Sequence, residues 1–96
     1  AGKAYLITTD PPYYDNISYA ALSDFFYVWL RHTLADVYPT LFGTMATPKD
    51  AELIADPYRQ GGKDAAKALF ETGMRRVFRR ICETAHRDYP VTVIYA

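Results

Sequence analysis

Ala4-Tyr5-Leu6-Ile7-Thr8-Thr9-Asp10-Pro11-Pro12-Tyr13 is the stretch from which the rest of the chain is read. Its first part is short, apolar and β-prone, the pattern of a strand buried on both faces. Its second part stops that strand. Proline fixes φ and has no N–H for a ladder, so Asp10-Pro11-Pro12 makes a rigid corner with aimed carbonyls. Asp15 and Asn16 are further turn formers. A carboxylate, aimed carbonyls and an aromatic ring thus stand together where a strand ends.

The corner resembles the signature of enzymes that methylate the amino groups of DNA bases, and that resemblance implies the following chemistry. A nucleobase amino group is a poor nucleophile, because its lone pair is delocalised into the ring. Two acceptors that take its two N–H groups draw the nitrogen toward tetrahedral geometry and free that lone pair. Asp10 offers one as a carboxylate and Pro11 the other as a backbone carbonyl, both preorganised. Tyr13 offers a ring on which a base turned out of its duplex can stack.

The string from Asp10 to Ala20, continuing through Leu22-Ser23-Asp24-Phe25-Phe26-Tyr27-Val28-Trp29-Leu30-Arg31, resembles the amino-group DNA methyltransferases. Their signature is Asp, Asn or Ser, two prolines and an aromatic residue at the carboxyl end of a sheet strand. The chain is similar in particular to the large prokaryotic adenine-specific methylases described as containing a zinc ribbon. The resemblance spans essentially all of it and is strongest over residues 8–31. It implies methyl transfer from S-adenosyl-L-methionine to the exocyclic amine of adenine in DNA, with Asp10, Pro11, Pro12 and Tyr13 as catalytic residues. It also implies an α/β fold: a β-α-α-β piece of a doubly wound, Rossmann-like sheet, with two parallel strands and two long helices. Two other readings of the corner stand beside it. One is a plain turn between strand and helix. The other takes Pro11-Pro12-Tyr13-Tyr14 as a Pro-Pro-x-Tyr ligand for WW-type domains.

Working outward, the first strand takes residues 1–9 and the corner 10–16. Ser18 is a candidate N-cap for a helix over 18–36. Tyr19, Leu22, Phe25, Phe26, Trp29, Leu30 and Leu34 form its stripe. Tyr27 and Val28 widen that stripe nearly all round, so the helix should be covered on two sides. Residues 37–63 lack periodicity, hold three of the six prolines and read as a long connection with a helical turn around Lys49–Ala55. Asp56-Pro57-Tyr58 echoes the corner but follows no strand and reads as a turn. Gly61-Gly62-Lys63 could present amides and a cation to a phosphate, as a similar Gly-Gly-Lys step in the resembled branch suggests. Its spacing is not that of a P-loop, and a flexible helix start is the alternative.

A second helix over 64–86 places Ala66, Leu69, Phe70, Met74, Val77, Phe78, Ile81 and Ala85 on one stripe. Arg75, Arg76, Arg79 and Arg80 recur on the other side as a basic ridge. Together with Lys63 they are candidates for contact with DNA phosphate; the alternative is a solvated face paired with Glu71 and Glu83. Tyr89-Pro90 ends the helix, and a second strand over 91–96 should lie parallel to the first.

The 96 residues suit one small domain or part of a larger one. Half are apolar and nine are tyrosine, which excludes a disordered tail. Residues 1–60 carry four basic and seven acidic side chains, a net of −3, and residues 61–96 seven and four, a net of +3. No stretch reads as a signal peptide or membrane span. The lone Cys82 excludes an internal disulfide and suits the cytoplasm. Cys82 and His86 stand i, i+4 without another cysteine, so no metal site is expected.

No strand is followed by a glycine-rich cofactor turn with an acidic ribose-binding residue. The expectation is therefore a single partial domain that carries the catalytic corner without the cofactor half. It would be inactive alone, with no cofactor bound to it, and would rely on the remaining methyltransferase domain to engage DNA. Uncovered strand edges and an aromatic helix predict a homo-oligomer for the isolated chain. The alternative function is a non-catalytic nucleic-acid or protein-interaction module using the arginine ridge or the Pro-Pro-Tyr-Tyr segment.

Overall fold

The computed structural model describes residues 6–95, in the order β1 (Ile7–Thr9), α1 (Tyr19–Leu34), α2 (Pro57–Gln60), α3 (Lys63–Thr84), β2 (Val91–Val93). This is a mixed helix-and-strand chain whose two strands pair in parallel, Ile7 opposite Val91 and Thr9 opposite Val93. The Ile94 N–H donates to the Thr9 carbonyl at 2.9 Å and carries the ladder one bond further. Residues 1–5 and 96 of the two expected strands lie outside the described residues. The burial on both faces expected of the first strand is not found among the described residues: Ile7 and Thr9 are half-buried, Thr8 is exposed and Leu6 is 66% exposed. In β2, Val91 and Val93 are each about two-fifths exposed. No helix among them is long and apolar enough to cross a membrane.

The chain divides into two compact units, one ending at Ile17 and resuming at Leu53, the other Ser18–Glu52. The first is built on α3. Ala66, Phe70 and Met74 recur every fourth residue, which puts them on one face, and they pack with Ala55 while Leu53 lies partly buried against them. Leu69, Val77 and Phe78, expected on the same stripe, are exposed flanks.

The single helical turn expected around Lys49–Ala55 forms instead at Pro57–Gln60, and Asp56-Pro57-Tyr58 starts it rather than making a plain turn. Asp56 is its N-cap, accepting from the Tyr58 N–H at 3.0 Å and pairing with Arg59 at 2.9 Å, and Pro57 takes the first position. Both choices are favoured there, because the side-chain oxygen satisfies free amides and proline has none to satisfy. Gly61 (φ 78°) and Gly62 (φ 125°) then turn the chain into α3 through backbone regions that other residues avoid.

The second unit is α1 with residues 35–52 folded back along it. Ser18 stands at the N-cap as expected, but its side chain caps nothing. The carboxylate of Glu52 does so from across the loop, accepting from the Ala20 N–H at 3.0 Å. A negative group there also meets the positive end of the helix dipole. Asp24 accepts from the Thr47 hydroxyl at 2.5 Å, the Thr47 N–H at 2.8 Å and the Lys49 ammonium at 2.7 Å, and the same hydroxyl oxygen lies 2.7 Å from the Ala20 carbonyl. Further along, Tyr27 is buried, its hydroxyl 2.9 Å from the Thr44 carbonyl and its ring centred 5.4 Å from that of Phe42. The helix ends at Leu34, short of the expected 36, where the Val37 and Tyr38 amides turn back to the Leu34 carbonyl. Cover on two sides is not supplied by the described residues: Leu22, Phe25, Phe26 and Trp29 remain about two-thirds exposed.

The hydrogen bond from Lys49, with those from the Thr47 hydroxyl and amide, holds the Asp24 carboxyl down at about 2. A carboxyl depressed by folding stabilises the fold above its ordinary value and loses that contribution as pH falls through the folded value. Stability should therefore decline between 3.8 and about 2. Asp24→Asn should remove that part of the acid dependence, read as urea midpoints across the window.

Gly73 sits beneath Leu53: a Cβ there would overlap Leu53 Cδ1 and come to 3.0 Å from Cδ2. Alanine normally gains about 0.8–1 kcal/mol over glycine inside a helix, whereas overpacking costs about 1–3. Gly73→Ala should thus lower stability by roughly 1 kcal/mol in the native background. With Leu53→Ala already present the sign should reverse, a coupling that a double-mutant cycle in urea measures directly.

Candidate functional site

The corner leaves β1 at its carboxyl end, beside the same end of β2. Asp10 is exposed, Pro11 buried, and Pro12 and Tyr13 half-buried. The carbonyls around them are largely taken. Thr9 accepts from Ile94, Tyr13 from the Asn16 N–H at 3.2 Å, and Tyr14 from the Ala55 N–H at 2.8 Å. The Asp10 carboxylate and the Pro11 carbonyl accept no hydrogen bond from any described residue. The two acceptors that the sequence singles out are thus among those that the local fold leaves uncommitted, as are the Asp10 and Pro12 carbonyls.

Three residues that sequence reasoning did not single out hold the corner in place. Tyr95 accepts the Tyr14 N–H on its hydroxyl at 3.2 Å, and its ring stands edge-on to Tyr13 with centroids 5.4 Å apart. Phe70 of α3 meets the Tyr14 ring edge-on at 5.3 Å. Ala55 supplies the amide already described. A signal for Tyr95 was present. Extending the parallel register of β1 and β2 two residues past Thr9 and Val93 sets Pro11 against Tyr95, but a register is not known until the strands are paired.

Arg75, Arg76, Arg79 and Arg80 are all exposed, and at 3.6 residues per turn they fall roughly opposite Ala66, Phe70 and Met74. The corner rests on the Phe70 side of α3, so ridge and corner occupy different sides of that helix. Arg80 pairs with Glu83 at 3.3 Å, while Glu71 pairs with Lys67 at 3.8 Å and with none of the arginines. Arg75, Arg76 and Arg79 make no ion pair among the described residues. Lys63 is the first residue of α3 and exposed. The amides of Gly61 and Gly62 both donate to the Pro57 carbonyl, so they are not offered to a phosphate.

Cys82 is exposed, and His86 Nδ1 lies 3.7 Å from Asp88. In the second unit an open cleft of about 460 Å³ is lined by Val28, Arg31, His32, Ala35 and Met45. No family model, curated protein or solved structure matches the chain.

The support that Tyr95 gives the corner is measurable. Tyr95→Phe leaves the ring beside Tyr13 and deletes the acceptor of the Tyr14 N–H. The expected loss is about 0.5 kcal/mol, the low end for a hydrogen bond because the site is exposed. Tyr95→Ala should cost roughly 0.5–1.5 kcal/mol more through the lost ring contact. In both variants the Tyr14 amide should exchange with solvent faster than in the native chain.

Proposed function

We propose that this chain carries the catalytic corner of an S-adenosylmethionine-dependent DNA methyltransferase that acts on the exocyclic amine of adenine. The observation that carries this reading is the placement of Asp10-Pro11-Pro12-Tyr13. It leaves a parallel strand at its carboxyl end, where open α/β sheets bind their ligands, with Asp10 exposed and uncommitted. In this reading β1 and β2 are neighbouring strands of a larger doubly wound sheet, which accounts for their apolar but uncovered faces.

The chemistry then follows from the residues. The base enters unstacked and rests on Tyr13, whose ring is steadied by Tyr95. One amine N–H donates to the Asp10 carboxylate and the other to the Pro11 carbonyl. Both acceptors strengthen as the nitrogen becomes tetrahedral, so they favour the transition state over the bound base. Tyr14, tied to Tyr95, Ala55 and Phe70, keeps the corner from yielding as the base presses on it.

The described residues do not fit the whole cofactor. No glycine-rich turn follows β1, and the two positive-φ glycines stand between α2 and α3 with their amides taken. S-adenosylmethionine would be held by other parts of the parent enzyme. The rival ligand reading loses support on burial: a Pro-Pro-x-Tyr segment must be laid open to its receptor, whereas Pro11 is buried here.

Single-turnover methylation by the intact parent enzyme, normalised to folded protein, tests the assignment. Asp10→Ala should slow the chemical step about 10²–10³-fold, as loss of one preorganised acceptor does, with cofactor affinity nearly unchanged. Tyr13→Ala should instead weaken capture of the base by about 1–3 kcal/mol, and Tyr13→Phe should retain most of it. Folded Asp10→Ala enzyme working at the native rate would refute the catalytic role.

A further inference from the structure

The arginine ridge of α3 is a surface that the corner's chemistry does not use. Arg75, Arg76, Arg79 and Arg80 stand within two helical turns as two pairs one turn apart, all exposed. Their side of the helix is turned away from the Phe70 face against which Tyr14 packs. Of the four, only Arg80 has a carboxylate partner among the described residues, Glu83. Three guanidinium groups thus face solvent together at close range. Like charges gathered without compensation repel one another, so the arrangement gains stability when polyanion replaces its counterions.

The side-chain types narrow the partner. Guanidinium forks match phosphate oxygens bidentately and shed their hydration more readily than ammonium groups. Between Thr72 and Glu83 the other residues on this side are those two, both polar; Leu69, Ala68 and Ala65 lie on the same side in the turns before. Thr72 is exposed on the turn before Arg75 and Arg76, where its hydroxyl can also donate to a phosphate. A protein partner would need an apolar centre on which to seat its anchors, and the stretch from Thr72 to Glu83 offers none on this side.

We infer that the ridge is a sequence-blind contact for the phosphate backbone of double-stranded nucleic acid, separate from the place where the corner would receive a base. Arg75, Arg76 and Arg79 each neutralise one phosphate. The contact stands whether or not the corner is catalytic.

Fluorescence anisotropy of a short mixed-sequence duplex with the 96-residue chain, over a series of salt concentrations, tests this. Three phosphate contacts predict a log–log salt slope of about −3, a loss of about 40-fold between 50 and 200 mM. The Arg75→Gln/Arg76→Gln/Arg79→Gln variant keeps helix propensity and should bring the slope near zero with its circular dichroism unchanged. Should that variant unfold, each single Arg→Gln change should still reduce the slope by about 0.9. Asp10→Ala should leave the slope untouched, which separates this test from that of the catalytic reading. A slope indifferent to the arginines overturns the inference. So does failure to bind duplex at low salt, or binding to polyglutamate in place of duplex.

Discussion

Tyr14 is gripped by its amide, its carbonyl and its ring. Tyr95 takes the first, Ala55 the second, and Phe70 meets the third. Those partners come from the segment just after β2, the segment before α2 and the middle of α3, so one residue ties three separate parts of its unit together behind the corner. The need for such a point follows from how little else is available. Each strand pairs over only three residues, and a two-stranded ribbon is marginal in water. The packed cluster on α3 is four buried side chains and Leu53. Backbone polar groups must find partners in any case. Satisfying both of those at Tyr14 across long sequence separations turns an obligation of the chain into a tether.

The apolar surface tells a complementary story. α1 exposes a continuous aromatic and aliphatic run, and β2 is open to solvent along its length. Isolated exposed apolar residues are ordinary, but contiguous ones mark surfaces that meet something. The pattern encodes more burial than the described residues provide for one another. That excess is the physical ground for expecting a partner surface, and it is the same fact, seen from outside, as the sheet-interior composition of β1 and β2.

Much of this was legible from local signals and much was not, and the division follows the range of the interaction. The two long helices lie within a residue or two of where period and flanking residues set them, because a 3.6-residue stripe is written in the neighbours of each position. The strands on either side of them, and the motif at the exit of the first, were equally local. Glu52 capping α1 was invisible, because Ser18 is the better local candidate and nothing near Ala20 announces a carboxylate from so far along the chain. The clasp of Asp24 with Thr47 and Lys49 was hidden for the same reason. Asp56 is a different case: it reads as a turn because no strand precedes it, although Asp followed by Pro is also the local signature of a helix start. At the site, the residue types of the corner and ridge could be read directly. Which side of α3 each occupies required knowing that Phe70 faces Tyr14.

The hydrogen bond between the Tyr14 carbonyl and the Ala55 amide has a topological consequence. It brings two points of the chain to within 2.8 Å while everything from Asp15 to Ile54 runs out and returns between them. The second unit is thus an excursion that leaves and rejoins the first almost at a single place. Closing such an excursion costs entropy that grows only logarithmically with its length. The frame of corner, α3 and paired strands can therefore accept longer, shorter or wholly different inserts at this point with little penalty. A recombination event there would exchange the aromatic helix as a cassette and leave Asp10 where it stands.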